Sequence, residues 1–97
     1  MDLRGQTILA TSGMVATAHP LASSAGLAVL QRAGNAMDAA IAASSVCNVV
    51  LPSAGGLGGD TFFLYHEANT GCVWGLNSSG IAPAAASRDE FAARFGA

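Results

Sequence analysis

The sequence predicts an α+β unit: two helices of small apolar residues, a β-hairpin, and a short third helix at the end. Three observations carry this. A Pro20-led apolar run closes on Ala33-Gly34-Asn35 and restarts at once, which reads as helix, stop and helix. The aromatic run Asp60 to His66 is followed by Asn69-Thr70-Gly71 and a second apolar run, which reads as a hairpin. Charge is sparse: charged residues are 10% and hydrophobic residues 52% of 97 residues. Ordinary soluble domains carry about 25% charge, so much of this chain's surface is suited to burial against something else.

Before the first helix, Ile8-Leu9-Ala10 and Met14-Val15-Ala16-Thr17 flank Ser12-Gly13. They read as two short strands around a turn, or as one kinked strand. The first helix is expected from about Leu21 to Ala33, with Pro20 in its first turn, where a missing N–H costs nothing. Leu21, Ala25 and Ala28 share a face, with Leu27 and Leu30 alongside. Gly34 stands where a left-handed cap is wanted. Asn35 can cap the second helix, about Ala36 to Val50, with Asp38 at the positive end of its dipole. That helix is apolar nearly all round and is expected to be buried on most sides. Pro52 ends it.

Ser53-Ala54-Gly55-Gly56-Leu57-Gly58-Gly59 follows. Its four glycines imply a backbone path most residues cannot follow, or a close approach by another segment. The hairpin comes next, with Cys72-Val73-Trp74-Gly75-Leu76 as its returning strand. Ser87 and Glu90 form a capping-box pair for the last helix, which carries Phe91 and Phe95 at i, i+4 spacing.

Composition excludes several functions. The chain has no Lys, four scattered Arg and a net charge of −2, so no basic patch can neutralise phosphates and nucleic acid is not an expected partner. High hydrophobicity with low charge excludes disorder. The longest uncharged apolar run, Ala39 to Leu51, is shorter than the roughly 20 residues a membrane helix needs. Met1-Asp2-Leu3-Arg4-Gly5 lacks the basic and apolar regions of a signal peptide, which makes a cytoplasmic location the expectation. Cys47 and Cys72 are not a Cys-x-x-Cys pair, and Cys47 reads as a small buried hydrophobe.

Catalytic motifs are absent. The glycine loop follows a helix and precedes a strand, the reverse of a dinucleotide fingerprint, so a tight backbone crossing is favoured over an anion site, and a nucleotide-binding domain would rest on this loop alone. His19, before a proline, reads as a turn or cap residue, and His66 as a surface position. Neither belongs to a zinc pattern, and no metal or cofactor is expected. Asp38 and Asp60, the acids inside apolar stretches, are given structural roles, with Asp60 pairing to N–H groups of the glycine loop. Asn77-Ser78-Ser79-Gly80, at a strand end, is the most polar patch. It reads equally as a binding loop or as an ordinary turn.

The order of the segments is itself informative. Gly13 to Ser23, Ala33-Gly34-Asn35-Ala36-Met37-Asp38 to Ala43, Gly55-Gly56-Leu57-Gly58-Gly59-Asp60, Ala68-Asn69-Thr70-Gly71 and Ala82-Pro83-Ala84 resemble, in that order, the start of the gamma-glutamyltransferase (gamma-glutamyltranspeptidase) family. The resemblance covers about Thr7 to Phe95. It implies a partial four-layer αββα sandwich of the N-terminal-nucleophile hydrolase type, with residues 1–97 a single incomplete domain from the start of the large subunit. It implies an enzyme that cleaves or transfers a gamma-glutamyl or related amide-linked acyl group. The nucleophile would be an N-terminal Thr, exposed by self-cleavage and lying beyond this chain, with its own α-amino group as base. The implied partners are the rest of the large subunit, the Thr-initiated small subunit, and the acyl-amide substrate. No residue of the chain is then catalytic, and the fragment alone is expected to be inactive.

The resemblance places Ser78 and Ser79 in the acyl-pocket wall. Family members that use glutathione carry an Arg at the position of Ser79, where it holds the α-carboxylate of the glutamyl group. A Ser donates one hydrogen bond and cannot form that bidentate, charge-assisted pair. This departure points toward the family's amidohydrolase or acylase-like branch. The competing expectation is a stand-alone, non-enzymatic binding or assembly module derived from the same family.

Overall fold

The computed structural model describes residues 7–96; the opening Met1–Gly5, whose reading bears on export, lies outside them. The elements run α1 (Pro20–Gln31), α2 (Ala36–Val50), β1 (Thr61–Glu67), β2 (Cys72–Ser78) and α3 (Arg88–Phe95). This is the expected α+β content. The chain forms two compact units, one reaching to Leu57 and one starting at Gly58.

In the first unit, α1 begins at Pro20 and is capped by His19, whose Nδ1 accepts the Leu21 N–H at 3.2 Å. Thr17 secures the entry: its Oγ1 donates to the His19 carbonyl at 2.8 Å and lies 2.7 Å from the Ser23 hydroxyl. The helix ends two residues earlier than expected, at Gln31, because the chain turns through a left-handed residue. That residue is Ala33, with φ 63°, and not Gly34. The Ala33 N–H reaches the Leu30 carbonyl at 3.1 Å and the Gly34 N–H reaches the Val29 carbonyl at 3.0 Å, the two bonds of a Schellman cap. Gly34 is needed for space instead. A Cβ there would overlap Val29 Cγ1 and lie 3.0 Å from the Val29 carbonyl oxygen.

The second helix has the expected bounds and a complete capping box. Asn35 Oδ1 accepts the Asp38 N–H at 2.9 Å, and Asp38 Oδ2 accepts the Asn35 N–H at 3.0 Å. It closes at Leu51, whose backbone (φ −129°, ψ 61°) has left the helical region ahead of Pro52.

The two helices meet on a seam of small residues: Ala22 and Gly26 of α1, Ala39 and Ala43 of α2. Gly26 is the crossing point, where an added Cβ would lie 3.2 Å from the Ala39 carbonyl oxygen and 3.0 Å from Val15 Cγ1. The buried face of α1 is thus not the Leu21, Ala25, Ala28 face of the sequence reading. Leu21 is 58% exposed, because small side chains let the backbones approach while the Leu face has nothing over it. Nor is α2 buried on most sides: Ile41 and Val49 are 59% and 78% exposed. Each large apolar side chain left uncovered forgoes about 1.5–3 kcal/mol of burial.

The segments around Ser12-Gly13 are not strands; residues 7–18 form no ladder. A strand exists only where a neighbour supplies hydrogen-bond partners, and among the described residues no strand pairs with these segments.

The second unit is built on the hairpin. Its strands pair antiparallel from Thr61↔Ser78 to Glu67↔Cys72. The four-residue loop has Gly71 at φ 70°, which suits glycine, and the Gly71 N–H meets the Glu67 carbonyl at 2.8 Å. Thr70 Oγ1 donates to Glu67 Oε2 at 2.7 Å and accepts the Cys72 N–H at 3.2 Å. The third helix starts on Ser87, whose hydroxyl accepts the Glu90 N–H at 3.2 Å. Only this half of the expected box is among the described bonds. Phe91 and Phe95 stack with ring centroids 5.5 Å apart.

The cap analysis gives a paired prediction. Ala33→Gly should stabilise the helix pair by about 1 kcal/mol by relieving the left-handed alanine. Gly34→Ala should lower its stability, because Val29 leaves no room. Thermal melts followed by far-UV circular dichroism will read both.

Candidate functional site

The polar residues singled out in the sequence gather where the hairpin opens. Ser78 is the last residue of β2 and pairs with Thr61, the first of β1. Alternation along the strands puts Ser78 on one face with Thr61, Phe63, Tyr65, Trp74 and Leu76. The opposite face carries Phe62, Leu64, His66 and Val73. Both faces are apolar and largely open: Phe62 is 62%, Leu64 85% and Trp74 59% exposed. A strand apolar on both faces is one that a larger sheet packing would cover on both.

Beyond Ser78 the chain leaves the ladder, and two side chains shape the loop. Asn77 Oδ1 accepts the Ser79 N–H at 3.1 Å. Asp60 Oδ1 accepts the Gly80 N–H at 2.8 Å, across the mouth of the hairpin. This corrects the assignment of Asp60 to the glycine loop; its partner is the strand-end loop. The reason lies in the register. One step beyond the Thr61↔Ser78 pair, Asp60 stands opposite Ser79, within reach of the next amide. Counting pairs outward from the Asn69-Thr70-Gly71 turn would have found it.

The glycine loop itself departs from expectation. None of Gly55, Gly56, Gly58 and Gly59 has a positive φ. A Cβ at Gly56 or Gly58 would meet nothing within 4 Å, and one at Gly55 would meet only the Asn48 side chain at 3.0 Å. Nothing within the described residues requires glycine at 56 or 58.

The other candidates stay apart. His66 is exposed, as read, but lies on the face opposite Ser78 and at the turn end of β1, five residues from Thr61, a run of about 16 Å. Among the described residues no histidine therefore stands beside Ser78. His19 is used as a cap and Asp38 in the capping box. Both cysteines are free, Cys47 half-buried and Cys72 exposed. Among the described residues, no cluster of three His, Cys, Asp or Glu side chains could hold a metal, and no helix is long and apolar enough to cross a membrane.

In the first unit, a groove of about 530 Å³ runs beside α2, lined mainly by Met14 to Ala18, Leu30, Ala39, Ala43 and Cys47. It carries no titratable group other than the Cys47 thiol. The chemistry available is thus at the hairpin mouth: two serine hydroxyls on a loop whose backbone is tied by Asn77 and Asp60. Such a loop can bind and orient an oxygen-bearing group. It cannot by itself attack a carbonyl.

The family described as gamma-glutamyltranspeptidase matches residues 22–97. The glutathione hydrolase proenzyme of Bacillus subtilis (strain 168) is 43% identical over 86 residues, which are 89% of this chain and 15% of that protein. The oxamate amidohydrolase proenzyme of Klebsiella pneumoniae is 37% identical over 84 residues, 87% of this chain and 16% of that one. The crystal structure of Helicobacter pylori gamma-glutamyltranspeptidase superposes with a TM-score of 0.76 at 38% identity, covering 89% of this chain and 24% of that chain. The chain thus spans about 15% of the length of the curated relatives it matches.

Removing the Asn77 acceptor should loosen the loop without unpairing the strands. In Asn77→Ala, amide exchange at Ser79 should rise at least several-fold while Phe63 and Tyr65 keep their protection. Residue-resolved hydrogen exchange will check this.

Proposed function

Because the chain belongs to the gamma-glutamyltranspeptidase family, we propose that it is the opening part of the large subunit of an N-terminal-nucleophile hydrolase. The full protein would cleave or transfer a gamma-glutamyl or related amide-linked acyl group. The observation that carries this is a likeness over 89% of the chain to 24% of a gamma-glutamyltranspeptidase. The uncovered apolar faces support it. In a four-layer αββα sandwich, two packed sheets between helical layers would cover both faces of the hairpin and the outer face of α2. Residues 1–97 are then one incomplete domain, whose two compact units are completed by the rest of the protein.

The reaction needs a nucleophile and base that the described residues do not bring together. Both come from an N-terminal Thr downstream. Its α-amine takes the hydroxyl proton as Oγ attacks the amide carbonyl, and the same proton passes to the leaving amine. The acyl group is held as an ester until water or an amine takes it. No metal or organic cofactor enters these steps. The contribution of this chain is the pocket wall at Ser78 and Ser79.

Ser79 bears on the donor. With a hydroxyl where glutathione-using members carry a guanidinium, the α-carboxylate of a glutamyl group loses its bidentate partner. The relatives named for the two donor classes, a glutathione hydrolase at 43% and an oxamate amidohydrolase at 37% identity, leave this reading to rest on Ser79.

Two measurements test this. The intact mass of the cellular product that contains this chain should lie far above 9.6 kDa, or appear as two subunits of which the smaller begins with Thr. A single species at 9.6 kDa would instead favour the stand-alone binding or assembly module. In the full-length protein, Ser79→Arg should lower the KM for glutathione by roughly tenfold or more, the effect of one charge-assisted pair. Steady-state kinetics on both forms will show whether it does.

A further inference from the structure

We propose that Asp60 is a positioning residue for the acyl-donor pocket, acting through the Ser78-Ser79-Gly80 loop; this rests on the reading that Ser78 and Ser79 wall that pocket. The observation is the 2.8 Å bond from the Gly80 N–H to Asp60 Oδ1, which joins residues twenty apart in sequence. With the Asn77 bond to the Ser79 N–H at 3.1 Å, it ties two consecutive amides just where the ladder stops. Without these bonds the loop beyond Ser78 would be anchored on one side only. With them the Cα of Ser79 is fixed on both sides, and so is the origin of its hydroxyl.

Gly80 fits the same contact. A Cβ at residue 80 would lie 3.2 Å from Asp60 Oδ1, so glycine leaves room for the carboxylate to reach the amide. Asp60 also stands at the exit of the glycine loop, immediately before β1. It therefore links that loop to the pocket wall, and its carboxylate acts on the backbone rather than on the substrate.

The role needs an acceptor oxygen at this position and not a charge. This separates it from a direct substrate contact. In the full-length protein that contains this chain, Asp60→Ala should raise the KM for the preferred donor of two probes, gamma-glutamyl-p-nitroanilide and oxamate, by roughly tenfold. Its kcat should stay within about twofold. Asp60→Asn keeps the oxygen and should restore the wild-type KM. Exchange mass spectrometry on the peptide spanning residues 77–82 should show faster exchange in Asp60→Ala and near wild-type exchange in Asp60→Asn.

An active wild type whose KM is unmoved by Asp60→Ala overturns this inference alone. So does an Asp60→Asn variant as impaired as Asp60→Ala, which would assign a role to the charge. A wild type inert toward both probes overturns the hydrolase reading, and this inference with it.

Discussion

The close approach of α1 and α2 is the constraint on which the first unit depends. Ala22, Gly26, Ala39 and Ala43 bring the two backbones so near that a Cβ at residue 26 would crowd the Ala39 carbonyl oxygen at 3.2 Å. Such a seam gives geometric precision but buries little apolar area per residue. The larger side chains are left on the outer faces, where Leu21, Ile41 and Val49 are mostly exposed. A helix pair of this kind fixes a shape while burying little apolar area of its own.

The hairpin shows the same division in another form. Its turn sets the register, and the register sets the polar mouth. Gly71 in its left-handed conformation and the Thr70 bonds to Glu67 and Cys72 align the strands from one end. At the other end that alignment places Asp60 beside the strand-end loop and Ser78 opposite Thr61. The placement of the candidate pocket wall is therefore decided about seven residues away, at the turn. A two-stranded ribbon is marginal alone in water. With apolar residues on both faces, this one is suited to the interior of a larger sheet assembly.

Much of this was legible in the sequence because it is local. Asn35 and Asp38 announce a capping box, Pro52 a helix end, and Asn69-Thr70-Gly71 a hairpin turn. Each is a hydrogen bond or steric rule acting over three or four residues. The errors arose where the deciding partner lies farther off. Gly34 carries the residue type of a left-handed cap, yet Ala33 adopts that conformation one residue earlier, and a side chain at residue 34 would overlap Val29. Asp60 follows the glycine loop in sequence, yet it bonds to Gly80, twenty residues on. The Ile8 and Met14 segments have strand composition without a strand beside them.

The sequence by itself determined the α+β content, the bounds of α2, the hairpin and the family, since these follow from short-range periodicity, caps, turns and the order of motifs. Only the tertiary structure decided which helix faces meet and which N–H groups Asp60 and Asn77 hold. The physical reason is that burial and cross-strand hydrogen bonding depend on which segments become neighbours in space. Local residue patterns set what each segment can do, and the packing of helix on helix and strand on strand selects among those possibilities.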